Sequence, residues 1–265
     1  MDFETLIINS HDGIMTVTVN RPDALNALSV RTLTELKQLL VSLVADGGHA
    51  VRGVVLTGAG DRALIAGADI REMAVMTPDE GEAFGRLGQE VTRLLEDLPT
   101  PVIACVNGYA LGGGCEMAIG CDYIYATENA LFGQPEVALG LIPGFGGCVR
   151  LQRYVGPGRA KEMIYTGRKV GAQEALRIGL ANRVFPTRRA MLDAAAESLR
   201  EIARRSPVAV SLCKQTINAA NGQETAAALA IEAAAFRQAF TTDDMREGTQ
   251  AFIKKRPAMF PAGRG

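Results

Sequence analysis

The first apolar positions of the chain fall into two short β-rich runs, Thr5 to Ile8 and Met15 to Val19, parted by the turn signal His11-Asp12-Gly13. The pattern predicts an opening hairpin. The period then lengthens: Leu33, Leu36, Leu40, Leu43 and Val44 keep roughly helical spacing behind Ser29, which has the chemistry of an N-cap, and Gly47-Gly48 stop the run. Arg52 to Thr57 returns to strand. Thr77-Pro78-Asp79-Glu80 supplies an N-cap, a proline at the first helical position and a capping-box glutamate. The helix it starts is predicted to run to about Leu98, with Phe84, Leu87, Val91, Leu94 and Leu98 as its buried stripe. Pro99 and Pro101 bracket the exit into a strand, Val102 to Val106.

Gly113 to Ile119 reads as a helix, and Asp122 to Ala126 and Ala130 to Phe132 read as strands. Beyond about Pro143 strands become scarce, while Leu151, Ala160 to Tyr165 and Ala172 to Ile178 look helical. From Arg188 onward the chain is alanine-rich and helical almost throughout; Ser206-Pro207 restarts one helix and Asn221-Gly222 parts it from the next. The pattern therefore divides into alternating strands and helices over 1–187 and a helical region over 188–265. No clean sequence period marks a repeat, so any repeat is expected in the structure alone.

Composition narrows the chemistry. With 265 residues, 48% hydrophobic and 22% charged, the chain can bury a large core as one domain with an appendage or as two small domains. A net charge of −1 lacks the basic field that nucleic acid or an anionic membrane would demand, so any anionic ligand must be bound by local groups. The opening MDFETLIINS has no basic segment followed by an apolar core, and no charge-free apolar run reaches membrane-spanning length. A cytoplasmic protein is expected. Cys105, Cys115, Cys121, Cys148 and Cys213 are odd in number and form no C-x-x-C pair, which predicts buried free thiols. His11 and His49 are the only histidines, too few for a histidine metal cluster and both away from the glycine-rich centre. Carboxylates and backbone remain as the reactive groups.

Two glycine-rich stretches invite a chemical reading. Gly58-Ala59-Gly60-Asp61-Arg62-Ala63 follows the strand Val54 to Thr57 and matches a dinucleotide-binding pattern. Its context is wrong: Gly67 interrupts the helix that such a turn must open, and Asp79 and Glu80, about twenty residues on, stand at a helix start. The other stretch, Gly112 to Gly114, precedes Glu116 in NGYALGGGCEMAIGCD. Glycine weakens helices and strands, so a run of it beside an acid suggests backbone that must approach something closely.

Together with that stretch, ALIAGADI (63–70), FGQPEVALGLIPGFGG (132–147) and AFIKKRPAMF (251–260) resemble the crotonase (enoyl-CoA hydratase/isomerase) family, in the right order and over nearly the whole chain. The resemblance implies an α/β fold, a crotonase-like spiral of ββα repeats forming a catalytic domain over 1–187. The helical region over 188–265 would drive oligomerisation, to a homotrimer or to a hexamer built as a dimer of trimers. By the same resemblance the amides of Ala68 and Gly113 form an oxyanion hole for an acyl-CoA thioester carbonyl. Glu116 matches the water-activating glutamate and Glu136 the proton donor of the hydratase pattern, which adds water syn across a 2-trans-enoyl-CoA to give a 3-hydroxyacyl-CoA.

Coenzyme A would enter as part of the substrate, with no other cofactor and no metal. Its implied contacts are the backbone from Ala24 through Leu25 to Leu28, the loop Ala66 to Ile70 including Asp69, the side chain of Arg71, and Lys255 from a neighbouring subunit. Asp23 departs from the pattern, standing where many relatives carry a basic residue. Leu64-Ile65 departs too, where an aromatic is common, and Met73, Val75 and Met76 are candidates for the acyl pocket. Two other readings remain open: an enoyl-CoA isomerase or other crotonase reaction, which commonly needs one glutamate, and a nicotinamide-binding oxidoreductase through the Gly58 stretch.

Overall fold

The structure, a computed structural model, describes residues 3–47 and 50–263. Strands β1 (Leu6–His11) and β2 (Ile14–Val19) pair antiparallel about Asp12 and Gly13, both at positive φ, as a tight hairpin turn requires. Helix α1 (Val30–Asp46) starts where Ser29 accepts the Thr32 amide at 3.1 Å and ends at Gly47 in the left-handed region. Gly48, expected to share that stop, lies outside the described residues, as does His49. Next come β3 (Gly53–Gly58), β4 (Ala63–Ile65), α2 (Ile70–Met73) and α3 (Pro78–Asp97). The capping box of α3 is complete: the Thr77 amide donates to Glu80 Oε2 at 2.8 Å and the Glu80 amide to Thr77 Oγ1 at 3.3 Å.

The chain continues through β5 (Val102–Val106), β6 (Tyr109–Leu111), α4 (Gly113–Ile119), β7 (Tyr123–Thr127), β8 (Leu131–Gly133) and a 3-10 turn over Pro135–Leu139. Helix α5 (Gly147–Thr166) joins the two helical patches read from the sequence and breaks at Gly156, just before Pro157. After it come β9 (Val170–Gly171), α6 (Ala172–Arg177) and β10 (Arg183–Phe185), then α7 (Arg188–Ala203), α8 (Pro207–Ala220), α9 (Thr225–Ala239) and α10 (Asp243–Ile253).

The strands sort into two sheets, ordered β1-β2-β3-β5-β7-β10 and β4-β6-β8-β9. Each of the pairs β3/β4, β5/β6 and β7/β8 sends its first strand to the first sheet and its second to the other, and within each sheet these strands run parallel. A helix follows each pair. This is the spiral of ββα repeats, visible only as structure. The second sheet was largely hidden in the sequence, because strands of two or three residues are too short to show an alternating period.

Alternation along the first sheet decides which face each residue serves. Val54, Leu56, Val102 and Ala104 point into the main core, while Val55, Ile103, Cys105 and Tyr125 form a second core with Met191, Ala195 and Leu199 of α7. Helix α7 thus packs on the spiral itself. Farther along, α8 is tied down by buried Lys214, whose Nζ donates to the carbonyls of Leu95 and Thr100 at 3.0 and 3.3 Å and pairs with Asp122 at 2.9 Å. Helix α9 buries none of its residues, and Leu229, Phe236, Phe240, Phe252 and Ile253 stand exposed on α9, α10 and the turn between them. No helix of the described residues is long and apolar enough to cross a membrane.

All five cysteines are free; Cys105, Cys115 and Cys121 are buried as expected, but Cys148 and Cys213 lie on solvent-facing sides of α5 and α8.

Candidate active site

The glycine run turns the chain from β6 into α4, and each constraint on it is steric. Gly112 has φ 49 and ψ −123, and a Cβ there would stand 2.7 Å from Glu136 Oε1. A Cβ on Gly114 would meet the Ile65 carbonyl oxygen at 2.0 Å, so the first turn of α4 sits directly on the end of β4. Gly112 as N-cap offers no side chain to the first-turn amides, so no cap covers the Gly113 N–H.

Beside this turn, the segments 24–28 and 66–69 zip together. The Leu28 amide donates to the Gly67 carbonyl at 2.9 Å, the Asp69 amide to the Leu28 carbonyl at 2.8 Å, and the Ala66 amide to the Leu25 carbonyl at 3.1 Å. Ala68 lies opposite Leu28 in this bridge. Amides alternate sides along extended backbone, so with its neighbour's N–H spent on Leu28 the Ala68 N–H leaves on the other side.

The residues expected to hold coenzyme A are only partly collected. Ala24, Leu25, Leu28, Ala66, Asp69, Ile70 and Arg71 share this wall. Leu28 is fully buried, so it can offer backbone alone, whereas Ile70 and Arg71 are exposed. The carboxylate of Asp69 already has structural partners: it pairs with Arg21 Nη2 at 2.9 Å and accepts the Arg71 amide as N-cap of α2. Burial works to raise its pKa, but the hydrogen bonds and charge of Arg21 prevail and hold it below the usual carboxylate range. Arg21 also donates to the Ala27 carbonyl at 2.6 Å, so it fastens both loops, a role with no signal in the sequence. Lys255 is exposed beyond α10, in the C-terminal region. Met73 and Met76 pack against the core and Val75 is exposed, while Leu64 and Ile65 are fully buried within β4.

Glu116 comes from α4 and is 2% exposed. Its Oε1 accepts two backbone amides, Phe145 at 2.8 Å and Gly147 at 2.6 Å, where α5 begins. Glu136 comes from the 3-10 turn and leans over Gly112; its Oε2 is buried without a hydrogen-bond partner among the described residues. Close by, the side-chain amide of Gln134 is fully buried with neither end bonded among the described residues, and a Cβ on Gly147 would stand 2.7 Å from its Nε2 and 3.0 Å from Glu116 Oε1.

Burial pushes Glu116 up to about 7; the Gly147 amide opposes it, Glu136 adds an upward push, and the Phe145 amide and Arg150 pull down. Burial likewise pushes Glu136 up to about 7, opposed by its own backbone amide. Burial thus holds both carboxyls above the usual carboxylate range, each with a pKa near neutrality.

The sequence drew attention to the segment 132–147 but not to the amides of Phe145 and Gly147. The signal that could have found them is the pair Gly146-Gly147 ahead of a helix, the same device as Gly112 to Gly114. The Gly58 stretch, by contrast, ends β3 and leads into β4, with Asn107 donating to the Gly58 carbonyl at 3.1 Å. No helix opens there, so the dinucleotide reading loses its structural basis.

Known proteins share this arrangement of chain. The short-chain enoyl-CoA hydratase of Clostridium acetobutylicum is 48% identical over 256 residues, 97% of each chain. The crotonyl-CoA hydratase of Syntrophomonas wolfei is 44% identical over 260 residues, 98% of this chain and 99% of that protein. The crystal structure of an enoyl-CoA hydratase from Bacillus anthracis superposes with a TM-score of 0.93 at 37% identity, over 98% of this chain and all of that one. A profile of the enoyl-CoA hydratase/isomerase family matches residues 9–263, and with the ββα spiral and the glycine turn beside Glu116 this establishes that the chain belongs to that family.

Proposed function

We propose that the chain is an enoyl-CoA hydratase that works with two carboxylates and a backbone oxyanion hole. The observation that supports the reading is a Glu136 oxygen beside Gly112 and buried Glu116 one turn into α4, with burial pushing both carboxyls up to about 7. In this reading the thioester carbonyl of a 2-trans-enoyl-CoA accepts the Ala68 and Gly113 amides. Glu116 takes a proton from water, the oxygen bonds to Cβ, and the π electrons move through Cα onto the carbonyl as an enolate. Glu136 then gives its proton to Cα from the same face, and a 3-hydroxyacyl-CoA results.

Charge develops on the thioester oxygen, so preorganised amides there act where they count, and one such donor is worth about 3 to 4 kcal/mol. Backbone N–H groups do not titrate, and coenzyme A arrives with the substrate, so the reading requires no further cofactor. The wall formed by 24–28 and 66–71 is the proposed seat of coenzyme A, with Lys255 reaching it from a neighbouring subunit. The exposed phenylalanines of α9 and α10 support assembly as a trimer or hexamer.

The test is optical. Crotonyl-CoA mixed with the protein and nothing else loses its enoyl-thioester absorbance as 3-hydroxybutyryl-CoA forms. A requirement for a nicotinamide cofactor, or double-bond migration without water addition across an acyl-CoA panel, would overturn the reading.

A further inference from the structure

Glu116 owes its two hydrogen bonds to a loop that is itself held from behind. Phe145 donates its amide to Glu116, while its carbonyl, on the opposite side, accepts Thr92 Oγ1 at 3.0 Å and Arg150 Nη1 at 3.2 Å. The guanidinium of Arg150 is gripped by Glu96 in a bidentate pair, Nε to Oε1 at 2.8 Å and Nη2 to Oε2 at 2.6 Å, and its Nη1 also reaches Thr92 Oγ1 at 3.1 Å. Thr92 and Glu96 belong to α3, Arg150 to the first turns of α5. Arg150 is nearly buried, with its side chain 12% exposed. Gly146, at φ 110, makes the bend possible, and a Cβ there would stand 2.0 Å from Arg150 Nη1.

We propose that Arg150, clamped by Glu96, is a positioning residue: by fixing the Phe145 carbonyl it aims the Phe145 and Gly147 amides at Glu116 Oε1 and so sets the angle and ionisation of the base. A planar fork suits this task, because it fills both oxygens of Glu96 and keeps a donor for the loop. Its charge acts in the same sense as its geometry. Among the described residues, the charged and titratable groups around Glu116 are Glu136 on the 3-10 turn, Arg150 and Cys148 on α5, Cys115 on its own helix and, behind Arg150, Glu96 on α3. Arg150 is the cation among them, opposing the repulsion from Glu136. The inference rests on Glu116 being the base that activates water.

The experiment measures crotonyl-CoA hydration against pH for Arg150→Met, Arg150→Lys and Glu116→Gln. Arg150→Met is expected to lower kcat at pH 7 by about 10- to 100-fold, the usual consequence of a displaced reacting group. KM stays within about twofold, because the residues proposed to hold coenzyme A lie elsewhere. The acid limb of kcat moves to higher pH, since the base has lost a neighbouring cation. Arg150→Lys, which keeps the charge and loses the fork, holds the limb near its wild-type place while kcat still falls. If Arg150→Met does not fold, the kcat and limb of Arg150→Lys decide. A wild-type acid limb and kcat in the variants, or a fall explained by lower thermal stability with the limb of Arg150→Met unmoved, overturns the positioning role. Full activity in Glu116→Gln overturns the assignment of the base instead.

Discussion

The Gly147 amide donates to Glu116 Oε1 at 2.6 Å, across 31 residues of sequence, and it does so as the first residue of α5. A helix N-terminus is therefore aimed at the carboxylate of Glu116 while another, that of α4, is aimed at the proposed oxyanion site. Each favours negative charge where the proposed reaction needs it.

The two glutamates are expected to divide the proton transfers. Glu116→Gln and Glu136→Gln should each slow hydration by about 10² to 10⁴, the usual worth of one positioned acid or base. The double variant loses less than the product, because both groups serve one transition state. Exchange of the product's α-proton with solvent is the sharper measurement: Glu136→Gln suppresses it at least as strongly as hydration. Near-normal hydration in Glu136→Gln beside a dead Glu116→Gln would point to a one-carboxylate reaction.

Because both carboxyls are pushed up to about 7, kcat is expected to peak near neutrality. Below that range the base gains a proton, and above it the acid loses one. A rate profile flat from pH 5 to 9 would refute this.

Stability carries the opposite signature. A carboxyl whose pKa is higher folded than unfolded supports the fold below the unfolded value and withdraws that support as pH rises through the folded one. Glu116 should thus cost stability between its ordinary value of 4.5 and about 7, and fully above it. Glu116→Gln is expected to be more stable than wild type at pH 8 by about 3 kcal/mol, with the gap closing near pH 5. Thermal melts at the two pH values measure this, and a gap that does not change with pH would contradict it.

Gly112→Ala should damage activity through geometry. The substitution forces a Cβ to within 2.7 Å of Glu136 Oε1 at a positive φ, at a cost of about 1 to 3 kcal/mol. Glu136 must swing away, so kcat falls sharply with KM little changed. A variant with wild-type kcat would show that Glu136 tolerates displacement.

Assembly is testable by light scattering at micromolar concentration, where a trimer or hexamer mass is expected. Phe236 and Phe240 stack edge to face with centroids 5.1 Å apart while remaining 67% and 54% exposed, an apolar surface that a monomer would leave wet. Phe236→Asp should shift the mass toward monomer, and a monomeric wild-type protein would end the proposal.

The sequence by itself determined what is set within a few residues. Ser29, the Thr77 to Glu80 box, the Asp12-Gly13 turn and the strand Val102 to Val106 are legible because capping, φ preference and apolar period are local properties. The three-residue strands β4 and β6 carry too few positions for any period, so the second sheet is set by pairing in space rather than by local pattern. The glycines and the two glutamates stand out in the chain, yet twenty positions separate Glu116 from Glu136, and no helix or strand can bring them together. The spiral does, by stacking one ββα turn on the next. Only that stacking dries the site enough to raise both carboxyls, turns Phe145 and Gly147 into donors, and sets Arg21 and Arg150 behind the loops they hold. Desolvation and contact across tens of residues belong to the packed molecule, because they arise from what surrounds a side chain in space and not from its neighbours along the chain.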